Sequence, residues 1–199
     1  MPTGVALRDA RQQLFAAAER ILLRDGPHAL TSRAVTTEAG VAKGVLHRHF
    51  ADFDAFLAEL VEDRIARIAG EAAALRDRAG TGTVAGNLTG VLTELFSSVA
   101  VAIVALITFR DDLRARLRRA GHSGVPVLTE AAAMIAGYLA AERDLGRIAA
   151  DADIGTLAPT LLGAVHLLFA DRQGAPPEAG AVRKVMTTVI AGVVREPPP

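Results

Sequence analysis

The chain has 199 residues, 22 basic and 22 acidic side chains, 51% apolar content, no cysteine and no tryptophan. The missing cysteine excludes disulfide scaffolds, thiolate metal sites and cysteine nucleophiles, while the apolar fraction is ample for a core in one or two domains. A formal charge of zero excludes a uniformly basic nucleic-acid coat but leaves room for one local basic face. The opening residues Met1–Leu7 lack the build of a signal peptide. Leu7, Ala10, Leu14, Phe15, Ala18, Ile21 and Leu22 then recur at helical spacing and predict an amphipathic helix ending near Gly26. A short helix is expected from its cap at Thr31 to a stop at Gly40, and a third between Ala42 and Phe50. Asp52 starts a long helix, 52–79, on the order of 40 Å at about 1.5 Å per residue.

Breakers at Ala79–Thr83, Gly121–Gly124 and Gln173–Gly180 predict loops. Helical segments are expected between them near 84–98, 100–119, 125–143, 153–171 and 180–195, with Pro159 either kinking its helix or marking the start. The tail Glu196–Pro199 is expected to fray. No alternating strand pattern stands out, so the fold class is all-α, a small N-terminal three-helix unit followed by a larger helical domain. The most apolar window, Val99–Thr108, is too short to span a bilayer, which takes about 20 apolar residues. A cytoplasmic protein with no membrane partner is expected.

The stretch Leu30–Phe50 carries the chemistry. It reads as helix, glycine-containing turn, helix, the helix-turn-helix build. Val35 and Ala39 face inward from the first helix, Val41 plugs the turn, and Leu46 and Phe50 face inward from the second. The outward positions of the second helix are Lys43, Gly44, Val45, His47 and Arg48. Two cations and an imidazole on one short helix suit a major groove, where base edges are read between phosphates. Residues 1–50 hold seven Lys/Arg against four Asp/Glu, a local net charge of +3 within a neutral chain.

Thr31, Arg33, Val35, Glu38, Ala39, Gly40, Val41, Lys43, Gly44, Leu46, His49 and Phe50 stand at the places of a known pattern. The stretch resembles the N-terminal domain of TetR/AcrR-family transcriptional regulators over residues 8–68, with the motif at 31–50 and only the architecture similar beyond. The resemblance implies a DNA-binding domain at 8–68 and a C-terminal regulatory and dimerisation domain at 69–195. It implies DNA contacts from Thr31, Arg33 and His49 beside Lys43, Gly44, Val45, His47 and Arg48. Four positions depart from the family pattern. Ala42 replaces a capping Ser, Val45 a Thr, His47 a Tyr that contacts phosphate, and Phe53 a Lys at the start of the fourth helix.

Other chemistries find little support. His47 and His49 lie two apart on a helix, about 200° from each other, so with Asp52 and Asp54 they predict no metal site. Gly40–Gly44 is turn and helix rather than a phosphate cradle, and His28, His122 and His166 lie in unrelated segments that form no triad. Neither an enzyme nor a cofactor is expected. The charge run Arg110–Arg119 reads as an exposed helix with internal ion pairs. For a small, largely apolar effector, Phe96, Leu106, Phe109, Met134, Tyr138, Thr160, His166 and Phe169 are the candidate contacts, His166 foremost. The last two helices carry Leu161, Leu162, Val165 and Leu168, and Val182, Val185, Met186, Val189, Ile190 and Val193. That apolarity predicts a two-fold four-helix bundle between copies, placing two recognition helices on a palindromic operator. The expectation is a ligand-released homodimeric repressor on double-stranded DNA. The alternatives are an activator, or a helical ligand-binding or protein-interaction module with weakened DNA binding.

Overall fold

The computed structural model describes residues 4–170, 177–178 and 180–195, with side chains from residue 10 onward. The expected frayed tail and most of the expected 173–180 loop lie outside the described residues. The described chain is all-α, with ten helices and one 3₁₀ turn at Pro27–Ala29. It packs as two compact units. Residues 1–64 and 102–125 form the first, and residues 65–101 and 126–199 the second.

The first unit holds α1 (Gly4–Asp25), α2 (Ser32–Glu38), α3 (Gly44–His49), the first half of α4 (Phe53–Arg76), most of α6 (Ala100–Phe109) and α7 (Asp111–Arg119). Its core is aromatic at the centre. The Phe50 and Phe56 rings meet edge to face at 5.0 Å, and Phe15 lies 5.6–5.8 Å from both. Ile21, Leu22, Val35, Leu46, Leu57 and Leu60 are fully buried in the same unit. Rings at these separations add to the burial of their area.

The segment expected as one helix over 100–119 is two. Arg110 is extended (φ −119°, ψ 100°), and α7 begins immediately after it. Asp111 and Asp112 open that helix, where carboxylates favour the positive end of the helix dipole.

The second unit holds the remainder of α4 with α5 (Val84–Ser97), α8 (Pro126–Asp144), α9 (Ile154–Phe169) and α10 (Ala181–Ile190). α9 packs on α8 and α5, and α10 on α5 and α9. Side-chain caps set two starts, with Thr83 accepting from Gly86 N and Asp153 from Thr156 N. Pro159 therefore lies inside α9 and does not mark its start. The helix expected to reach 195 ends at Ile190, and the chain folds back past Gly192. There Val194 forms an isolated antiparallel bridge with Ile148, with Ala149 N donating to Val193 O at 2.8 Å.

Tyr138 and Glu142, both 0% exposed, anchor this core. The Tyr138 hydroxyl donates to Glu142 Oε1 and accepts from Asn87 Nδ2, while Gly80 N donates to Glu142 Oε2. Arg147 Nη1 lies 3.2 Å from the same carboxylate. Burial, and secondarily the carboxylate, push the Tyr138 phenol above its ordinary pKa. No single helix among the described residues is long and apolar enough to cross a membrane.

Candidate nucleic-acid interface

Local chemistry fixes the turn between α2 and α3. Thr31 is extended (φ −130°), and its Oγ1 accepts from Ala34 N at 3.1 Å, a cap that starts α2. At the other end Gly40 N donates to Thr37 O and Val41 N to Thr36 O, the paired bonds of a Schellman stop. Gly40 sits at φ +67° with open space where a Cβ would be. The demand for glycine is thus conformational, not steric. α3 starts without a side-chain cap, since Lys43 at that position is helical and makes none.

α1 and α4 brace the turn. Gln13 Nε2 donates to Ala39 O at 3.0 Å and Arg11 Nη1 to His49 O at 3.2 Å. Arg11 also lies over the Phe50 ring at 4.5 Å and pairs with Glu59. Arg20 and Arg24 clamp Glu38 at 2.7 and 3.1 Å, and their hydrogen bonds hold its carboxyl below the ordinary value. These supports escaped the sequence because each reaches across helices and leaves no periodic trace.

Of the expected DNA contacts, Thr31, Arg33, Lys43, Gly44, His47 and Arg48 are exposed, while Val45 and His49 are half-buried. Arg33, Lys43 and Arg48 make no ion pair among the described residues. The acidic start of α4 is largely compensated. Asp52 pairs with Arg116 at 2.8 Å and Asp54 faces Arg110 at 3.4 Å. Asp52 also accepts from Ala55 N, and that bond, ahead of Arg116, lowers its pKa. The run 110–119 thus carries tertiary ion pairs besides its one described internal pair, Arg114 with Asp111.

The effector candidates fall into separate places. Phe96 stacks with His166 at 5.6 Å and with Phe169 at 5.7 Å inside the second unit. His166 also lines a hollow of about 410 Å³ with Leu128, Pro159, Leu162 and Gly163. Met134 is buried, and Tyr138 belongs to the Glu142 network described above. Thr160 is exposed, its hydroxyl turned back to Thr156 O. Leu106 and Phe109 line a cavity of the first unit instead. Among the apolar residues of the last two helices, Leu161, Leu162, Val165, Val182, Met186 and Ile190 are buried within the unit. Leu168, Val185, Val189 and Val193 are half-buried, and Leu167, which the sequence pattern had left aside, is 77% exposed.

Residues 14–60 match the family described as bacterial regulatory proteins, tetR family. No curated protein matches the chain. Among solved structures, a transcriptional regulator from Rhodococcus sp. Rha1 is similar over 94% of this chain and 99% of its own, with 22% identity and a TM-score of 0.70. A TetR-family transcriptional regulator from Agrobacterium tumefaciens is similar over 95% of this chain and 100% of its own, at 12% identity and a TM-score of 0.71. The regulator FadR from Bacillus subtilis, solved in complex with stearoyl-CoA, is similar over 91% of this chain and 98% of its own, at 18% identity and a TM-score of 0.64. At these identities the likeness is one of fold.

Proposed function

We propose, from the match of residues 14–60 to the tetR family of bacterial regulatory proteins and from the fold, that the chain is a DNA-binding transcriptional regulator of that family, a ligand-released homodimeric repressor of a palindromic operator. The observation that carries the reading is the set of exposed cations, Arg33, Lys43 and Arg48, without ion pairs among the described residues around a braced turn. Phosphates are their natural partners, and Gly44, Val45 and His47 stand where base edges would be met. Residues 8–68 read DNA, and residues 69–195 dimerise and sense the effector.

The exposed and half-buried residues Leu167, Leu168, Val185 and Val189 on the last two helices form the face for a second copy. A two-fold there would present two recognition helices to successive major grooves. An apolar effector would meet the stacked Phe96, His166 and Phe169, in keeping with the acyl-CoA held by the Bacillus neighbour of the same fold. Effector and operator then oppose each other through a reciprocal coupling of about 1–3 kcal/mol.

Titration of the purified protein against its own promoter DNA at two salt concentrations tests DNA reading. The expected result is binding that weakens steeply with salt; binding with no salt slope would refute the phosphate contacts. Light scattering at micromolar concentration is expected to give a dimer, and a monomer would remove the palindrome from the proposal.

A further inference from the structure

The first unit holds a cavity that shares only Thr31 with the expected DNA contacts. It measures about 600 Å³, and Leu30, Ala105, Leu106 and Phe109 supply its apolar wall. Size and apolar character are those of a small-molecule site. Phe109 is 83% exposed, so this wall leaves a large apolar ring uncovered. Four polar residues interrupt the wall, His28, Thr31, Ser32 and Arg110, and the last two hold donors not yet matched. Ser32 Oγ is buried and has no hydrogen-bond partner among the described residues. A buried hydroxyl in that state is uncommon and calls for a partner. Arg110 Nη2 lies 3.4 Å from Asp54 Oδ1, and that oxygen too is without a hydrogen bond among the described residues. The guanidinium therefore keeps donors available, and it can offer nothing but donors.

We propose that this cavity binds a small, largely apolar molecule with one anionic, hydrogen-bond-accepting head held by Ser32 Oγ and Arg110. Both groups can donate, so an accepting head satisfies both, and a charged one gains most. The site stands on the cavity itself; only its consequence for DNA rests on the regulator reading. Thr31, Ser32 and Phe53 line the same cavity. They are the cap and first residue of α2 and the first residue of α4. An occupant would thus press on the helix that supports α3, within a single chain and without any change in dimer spacing.

The missing tryptophan makes a direct test possible. The full chain carrying Phe109→Trp, at a position 83% exposed, is titrated with octanoate and with octanol, and Leu145→Trp, at a position 58% exposed in the second unit, serves as control. Octanoate is expected to shift the emission of the Phe109→Trp protein to shorter wavelength, saturating at one per chain, and to leave Leu145→Trp unmoved. Octanol is expected to bind about ten-fold more weakly, a gap that closes when Arg110→Gln is added. No shift at millimolar octanoate, an equal shift in both tryptophan proteins, or equal binding of octanol would overturn the site. Promoter titration of the same Phe109→Trp protein separates the two readings. Absence of promoter binding without octanoate, in the wild type as in the Phe109→Trp protein, with the octanoate shift intact would refute the regulator and support the cavity.

Discussion

α3 and α7 are both short, basic helices of the first unit, and α7 matches part of its charge to acids of the protein while α3 matches none among the described residues. Lys43 and Arg48, at and within the recognition helix, are exposed and unpaired among the described residues. On and beside α7, Arg110, Arg114 and Arg116 face Asp54, Asp111 and Asp52. A count of basic residues would rank α7 above α3. α7 still leaves Arg118 and Arg119 exposed and outside any ion pair among the described residues, so what sets α3 apart is that its leftover cations stand at the turn of the helix-turn-helix motif. The pairs of α7 are too exposed to stabilise the fold by much. Their consequence is to quiet the acidic start of α4.

Removing the support beneath α3 gives the largest expected effect. Phe50→Ala takes one ring out of the Phe15–Phe50–Phe56 cluster and is expected to cost about 3–5 kcal/mol in urea unfolding. Next is the comparison itself. Lys43→Ala with Arg48→Ala is expected to weaken promoter binding about 100-fold and reduce the salt slope by about 2, with the melting temperature kept. Arg118→Ala with Arg119→Ala, which removes the exposed α7 cations, should leave the affinity within about two-fold; a matching loss would break the comparison. Gly40→Ala, forcing a Cβ into φ +67°, is expected to cost about 1–2 kcal/mol.

The smallest effect is one of acidity. Glu38 titrates below its ordinary value near 4.5, so its clamp is fully present above that pH and is lost as pH falls through the lower folded value. Wild type should therefore exceed Glu38→Gln in stability at pH 7, with the difference closing below pH 4.5 in acid unfolding and shrinking in high salt.

Fold class and the two-helix motif were legible because they rest on short-range rules. Thr31 caps, Gly40 stops, and Val35, Leu46 and Phe50 turn inward at helical spacing. What failed were features set by distant partners. The break at Arg110 was masked by an apolar run flowing into a charged one, although the pair Asp111–Asp112 was a start signal in view. The return of 191–195 to Ile148 depends on a bridge more than 40 residues away in sequence. Effector candidates chosen for being polar among apolar neighbours scattered, since Tyr138 already had Asn87 and Glu142 as partners. Arg110 and Ser32 leave no cavity signal in the sequence, because a charge run and a helix start account for each residue type.

The first unit is discontinuous, drawing on residues 1–64 and again on 102–125. Excising a recognition head at residue 68 would therefore strand Asp52 and Asp54 without Arg116 and Arg110, and would leave Glu62 without the His122 imidazole 2.6 Å away. Such a fragment would carry every residue proposed to face DNA, yet a more acidic and less finished surface than the same residues have in the whole chain. The reading head is in this sense not a detachable module: its electrostatic finish is supplied by a segment that enters only after the chain has passed through the second unit.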